Sequence, residues 1–183
     1  MKKPEFYLDL NLRFRPQDLA HLNEYIHYQQ EHLKTLSDPK ELVRAMGELG
    51  VNLRSADRFD EAEKILLKAL EIVNEKNLGL SQEVQQKIRL AHVYQEQKRF
   101  SESDHLFQEC LKLCHQEKLD HYLPFVIQHH GKNLFDQHRY AEALKFFEQA
   151  LQLRVQNKVP QDQIESTERA IERTRELLNA HRK

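Results

Sequence analysis

The sequence predicts an all-α fold: an α-α superhelix of three stacked helical hairpins with flanking capping helices and an extended N-terminal arm. Three observations carry this expectation. One set of residues returns in three copies at a fixed internal spacing: Gly50, Leu53, Phe59, Ala62, Leu66 and Ala69; then Ala91, Tyr94, Phe100, Ser103, Phe107 and Cys110; then Gly131, Leu134, Tyr140, Ala143, Phe147 and Ala150. The copies begin 41 and 40 residues apart, a period that belongs to helical hairpins, which bury their apolar faces only by stacking on one another. Within a copy the apolar residues recur at helical spacing, as in Ala62, Ile65, Leu66, Ala69, Leu70 and Val73.

The elements follow in order. Residues 1–15 read as the arm, in which Phe6, Leu8, Leu10, Leu12 and Phe14 alternate with Tyr7, Asp9, Asn11 and Arg13, the period-two pattern of a half-buried strand. No second strand is legible to pair with it. The arm is therefore expected to lie along the helices, to pair with the same segment of another copy, or to await a partner, and those five apolar residues are the candidate self-association residues. A capping helix over 16 to about 36 carries Leu19, Leu22, Ile26, Leu33 and Leu36 at helical spacing.

Pro16, Pro39, Pro124 and Pro160 stand where helices are expected to start, since a proline in the first turn forfeits no helical hydrogen bond. At Asp38-Pro39-Lys40-Glu41 the pattern of a capping box opens the first repeat, 39–76, which turns at Arg58-Phe59-Asp60. Ser81 is the expected cap of the second repeat, 81–118, which turns at Arg99-Phe100-Ser101. Ser103 and Cys110, standing where the other copies have alanine, make this copy the most degenerate. The third repeat, 121–157, is framed by Asp120 and Tyr140. A last helix, 161–181, has Ile164, Ile171 and Leu178 on a narrow stripe and reads as the second cap. Residues 16–183 are thus expected to form one repeat domain.

Composition narrows the function. Lys plus Arg number 28 against 29 Asp plus Glu, with the signs interspersed, so there is no basic footprint for a nucleic-acid backbone. No apolar run reaches the length of a membrane span. Glu5, Asp9 and Arg13 interrupt the apolar start, which argues against a signal-peptide core and for a cytoplasmic location. Cys110 and Cys114, one helical turn apart, have poor geometry for bridging and are expected to be free thiols.

The stretches Phe59-Asp60-Glu61-Ala62-Glu63 through Ala69-Leu70-Glu71-Ile72, and Tyr140-Ala141-Glu142-Ala143 through Ala150-Leu151, resemble the tetratricopeptide repeat. The lengthened period is most similar to that of kinesin light chains and many bacterial relatives, and the resemblance covers about residues 43 to 157. It implies a non-catalytic scaffold or adaptor that binds a protein or an extended peptide along the first helices of its hairpins. The partner-binding residues so implied are Arg44, Gly47, Val51 and Arg54; Gln85, Ile88, His92, Gln95 and Glu96; and Phe125, Gln128, Lys132, Phe135 and Asp136. The mixture of apolar pockets, side-chain amides and a slight basic excess suits an extended, somewhat acidic peptide. The carboxylate clamp of chaperone-binding members needs Lys and Asn where this chain has Gly47 and Val51, so a chaperone tail is not the expected ligand.

Other chemistry reads weakly. Although His115, His121, His129, His130 and His138 cluster, no two histidines stand three or four residues apart on a helix, and no metal or other cofactor is expected. Glu24-x-x-His27 and Glu102-x-x-His105 match the ligand pairs of di-iron bundles only superficially, because the helices of a hairpin stack do not share the required core. With four glycines, no phosphate-cradling loop and no nucleophile elbow, an enzyme is not expected. The alternatives within binding proteins are a self-assembling protein that dimerises through its arm, a secretion chaperone, and the peptide-sensing module of a receptor.

Overall fold

Residues 1–180 are described by the computed structural model; His181, the last position expected in the C-terminal helix, lies outside the described residues. They form a short hairpin, β1 (Phe6–Leu8) and β2 (Phe14–Pro16), and eight helices: α1 (Leu19–Leu33), α2 (Pro39–Ser55), α3 (Phe59–Glu75), α4 (Leu80–Glu96), α5 (Phe100–Gln116), α6 (Leu123–Asp136), α7 (Tyr140–Gln156) and α8 (Gln161–Ala180). Consecutive helices pack on one another within each of two units, α1 to α4 in the first and α5 to α8 in the second. Two compact units divide the chain, Met1–Lys98 and Arg99–Lys183, so that α4 and α5 of the second repeat fall in different units.

The ends of the helices α2 to α7 share one device. From α2 to α7 each helix stops at a residue in the left-handed region: Asp57, Asn77, Lys98, Lys118, His138 and Lys158, with φ between 49° and 62°. After α2 the Arg58 amide donates to the Leu53 carbonyl (2.9 Å) and the Asp57 amide to the Arg54 carbonyl (3.0 Å), which is the Schellman pattern. The same long bond closes α3, α5, α6 and α7, at Leu78–Val73, Leu119–Cys114, Arg139–Leu134 and Val159–Arg154. Within each repeat the next helix starts at once, and the arginine before it grips a glutamate in the first turn: Arg58 with Glu61, Arg99 with Glu102, Arg139 with Glu142.

Small residues set how closely the paired helices approach. In the first unit a Cβ on Gly50 would meet the Leu66 side chain at 2.7 Å, and in the second a Cβ on Gly131 would meet the Phe147 ring at 2.8 Å. Ala62, Leu66 and Ala69 are fully buried in the first unit, as are Ala143, Phe147 and Ala150 in the second. Below the first crossing, Val43, Met46, Ala69 and Val73 form a core covered by Leu33, Leu42, Ile65, Ile72 and Leu78. Ser103 and Cys110 occupy their alanine places with no exposure. Cys110 and Cys114 are both free and buried, and burial together with the charge of Asp120 pushes the Cys114 thiol up.

The N-terminal segment departs most from expectation. Its apolar alternation does mark a strand, but the strand has a partner within the arm itself: Phe6 faces Pro16, Tyr7 faces Arg15 and Leu8 faces Phe14 in an antiparallel register. Asp9 makes the turn, its Oδ1 accepting from the amides of Asn11 (2.8 Å) and Arg13 (2.9 Å), while Leu12 takes φ of 61°. Pro16 consequently ends β2 instead of opening a helix, and α1 starts at Leu19 behind Asp18, whose side chain accepts from the His21 amide. Ser81 is likewise not a cap. Gly79, at φ 97°, holds that place and Ser81 lies in the first turn of α4, because only glycine adopts this backbone freely. At Asp38 the expected cap forms, accepting from the Glu41 amide at 2.8 Å.

Two stability measurements follow. Replacing Lys158, whose left-handed φ disfavours a side chain, by glycine is expected to raise unfolding free energy by about 0.5–1 kcal/mol. Conversely, Ala143→Leu forces extra atoms between fully buried surfaces and is expected to cost about 1–3 kcal/mol. Urea unfolding of both variants checks the signs; a neutral Ala143→Leu would mean that α7 does not pack on its alanine face.

Candidate functional site

In the first unit the expected partner-binding residues divide into accessible and committed groups. Arg44 is exposed and edges a polar pocket of about 460 Å³ between α1 and α2, whose wall includes Tyr25, Tyr28 and His32. Val51, Gln85 and His92 are half-buried, whereas Gly47, Ile88 and Gln95 are buried. Gly47 lacks a side chain because α4 lies across it: a Cβ there would collide with the Arg89 guanidinium and the Gln86 amide. His92 Nδ1 and Gln95 Oε1 are 3.0 Å apart, one turn along α4.

Arg54 is held by its own chain. Its Nε lies 3.4 Å from Glu96 Oε1, and Arg15 of β2 reaches the other Glu96 oxygen at 3.6 Å and Asp57 Oδ1 at 3.2 Å. Glu96, whose side chain is 7% exposed, therefore clamps the hairpin to α2 and α4. Burial lowers the Arg54 pKa, Glu96 opposes that fall, and the nearby charges of Arg15 and Arg13 add to it. Reading the arm as an apolar strand hid this role; the usable signal was Arg13 and Arg15 beside Asp9, a charged patch on one side of the strand pair.

The second unit shows the same division. On α6 Phe125 is 42% exposed, with the His129 ring edge-on at 4.1 Å between centroids, while Asp136 is half-buried. Gln128, Lys132 and Phe135 are buried. Gln128 Oε1 accepts from the Thr167 hydroxyl of α8 at 2.6 Å, and Arg154 of α7 donates to the same Thr167 oxygen and to the Gln163 carbonyl. Desolvation lowers the Arg154 pKa against the opposing charge of Asp162. Phe135 packs edge-on against Tyr140.

A second carboxylate organises this unit and was missed in the sequence. Asp104 of α5 accepts from Asn133 Nδ2 (2.7 Å), His130 Nε2 (3.1 Å) and Gln137 Nε2 (3.3 Å), with the Arg139 guanidinium at 3.7 Å. The polar series His130, Asn133 and Gln137, spaced by three and four along α6 and its C-cap, was the available signal. His130 also stacks on Phe107 and meets Phe146 edge-on. Burial lowers its pKa, outweighing Asp104, which favours the charged ring, while Arg139 disfavours it.

Among the described residues no group of three or more His, Cys, Asp or Glu is placed to hold a metal ion, and no helix is long and apolar enough to cross a membrane. Two models of the tetratricopeptide repeat match the chain, over residues 42–81 and 85–156. No curated protein matches significantly. Similar solved structures include BtubC (BKLC) from P. vanneervenii, at TM-score 0.62 and 15% identity over 89% of this chain and 75% of that one. A putative kinesin light chain of Podosopora anserina with nearly identical TPR-like repeats aligns at TM-score 0.58 and 13% identity, over 88% of this chain and 89% of its own. Its Q17M form gives 0.59 and 13%, with 90% of each chain covered.

The two carboxylates generate tests. Glu96→Gln leaves Arg54 enclosed without its counter-charge and is expected to cost about 3 kcal/mol of unfolding free energy. For His130, burial holds the folded pKa below the ordinary imidazole value of about 6.5, so its contribution is fully present above that pH and is lost as pH falls through the folded pKa. Stability of the wild type should therefore drop more between pH 7 and pH 5 than that of His130→Gln. Parallel pH profiles would refute the assignment.

Proposed function

Because this chain is a tetratricopeptide-repeat protein that resembles the kinesin light chain type, we propose that it is a non-catalytic scaffold whose first helices receive a protein or extended peptide. Tetratricopeptide repeats generally mediate protein–protein interactions. The observation that best supports a first-helix site here is Phe125. It remains 42% exposed on a helix whose following residues Val126, Ile127 and Gln128 are all buried, and His129 props its ring edge-on. A rigid aromatic held open in this way has the character of an interface anchor. In the first unit the accessible Arg44 and the half-buried Val51, Gln85 and His92 are the matching candidates. Arg54, Ile88, Gln95, Gln128, Lys132 and Phe135 then serve the site by holding its helices in place.

A second reading rests on the hairpin. Tyr7, Leu10 and Phe14 are 52%, 73% and 51% exposed, so a large apolar surface remains there even with Leu12 buried and Phe6 and Leu8 half-buried. Self-association through this surface would cover it.

A photo-crosslinking residue at position 125 is expected to capture a protein partner in a native lysate, and Phe125→Ala to weaken that partner about tenfold while leaving the melting temperature in place. Undiminished binding by Phe125→Ala places the site elsewhere. For the hairpin, light scattering on the full chain and on a Leu10→Ser, Phe14→Ser double variant decides: a dimer lost in the variant supports self-association, and a wild-type monomer ends it.

A further inference from the structure

An open groove of about 960 Å³ runs between α7 and α8 on surface that the proposed first-helix site does not use. Its apolar lining is Leu151 and Val155 from α7 and Ile171 from α8, with Gln152, Gln156 and Asn179 beside them. Val155 is 56% exposed, so part of the apolar lining is open to solvent. The lining positions step along each helix by three and four, from Glu148 to Gln156 on α7 and from Glu168 to Asn179 on α8, so each helix turns one continuous face to it. At 1.5 Å per residue the longer face runs on the order of 16 Å, or three helical turns.

The rim is acidic. Glu148 is matched by Arg175 at 2.8 Å, and Glu176 by Arg173 at 2.9 Å. Glu168 and Glu172 have no ion pair among the described residues, although they stand one turn apart on the same face of α8, where like charges repel.

We infer that this groove docks a basic amphipathic helix of about three turns from a partner protein. A helix satisfies its own backbone hydrogen bonds, so it can lie on the apolar patch of Leu151, Val155 and Ile171, whereas an extended strand would find only the amides of Gln152, Gln156 and Asn179 for its whole row of backbone groups. α4 already shows the geometry in the first unit, where it packs on α2 and α3 together. Basic flanks on the incoming helix would sit against Glu168 and Glu172 and relieve their repulsion. A second copy of this chain docking the same face symmetrically would instead bring Glu168 and Glu172 against themselves.

The test uses the full chain and two synthetic 14-residue helical peptides with the same leucine stripe, one flanked by lysines and one by glutamates. Fluorescence anisotropy should show saturable binding of the lysine peptide and none of the glutamate peptide. Val155→Glu, and separately a Glu168→Lys, Glu172→Lys double variant, should each weaken the lysine peptide at least about tenfold. Both changes lie at exposed positions, and unchanged circular-dichroism melting keeps them interpretable. Phe125→Ala should leave this binding intact, so the result is independent of the first-helix site. Absence of binding, equal binding of the two peptides, or binding indifferent to both variants overturns the inference. So does a homodimer that Val155→Glu abolishes, since the occupant is then another copy.

Discussion

Close approach of the two helices of a hairpin, at a position with almost no side chain, is the constraint on which the remainder depends. Gly50 beneath Leu66 and Gly131 beneath Phe147 leave no space for even one methyl group. With the crossing that tight, the positions one turn either side must be small as well, which accounts for the buried alanines at 62, 69, 143 and 150. The connection must then reverse the chain within very few residues. A left-handed residue closed by a Schellman bond does so, and it returns the chain straight into a helix whose first turn is tied by an Arg–Glu pair. Period, packing and turn are consequences of one another.

Inside this apolar framework each unit keeps one carboxylate as a hub. Glu96 gathers Arg54 and Arg15, and Asp104 gathers His130, Asn133, Gln137 and Arg139. An enclosed carboxylate is costly unless several donors converge on it, so each hub favours the one arrangement of surrounding elements that supplies them. In the first unit that arrangement includes the N-terminal hairpin. In the second it holds α6 against α5, while the Gln128–Thr167–Arg154 chain ties α6 and α7 to α8.

The hubs also sort the surface. Polar residues of the first helices that look available for a ligand are partly consumed in holding the fold, and what stays open is a smaller set: Arg44 in the first unit, Phe125 with His129 in the second, and the acidic α7–α8 groove.

Most of the helices could be read from sequence because their cause is local and periodic. Apolar spacing, Asp38 before Pro39 and the recurring small residues each report an element within a few turns of chain, and the repeat multiplies the signal three times. What the tertiary structure alone decided lies in pairings without periodicity. Arg15 meets Asp57 across 42 positions and His130 meets Asp104 across 26, and the arm doubles back because the Asp9 turn and the Glu96 clamp together outweigh an extended course. The same holds for the residues that the sequence offers for partner binding. Arg54 and Gln128 have the right type at the right spacing, but whether a polar side chain faces a ligand or its own chain depends on which donors and acceptors packing brings within about 3 Å of it, and that is a property of the folded molecule.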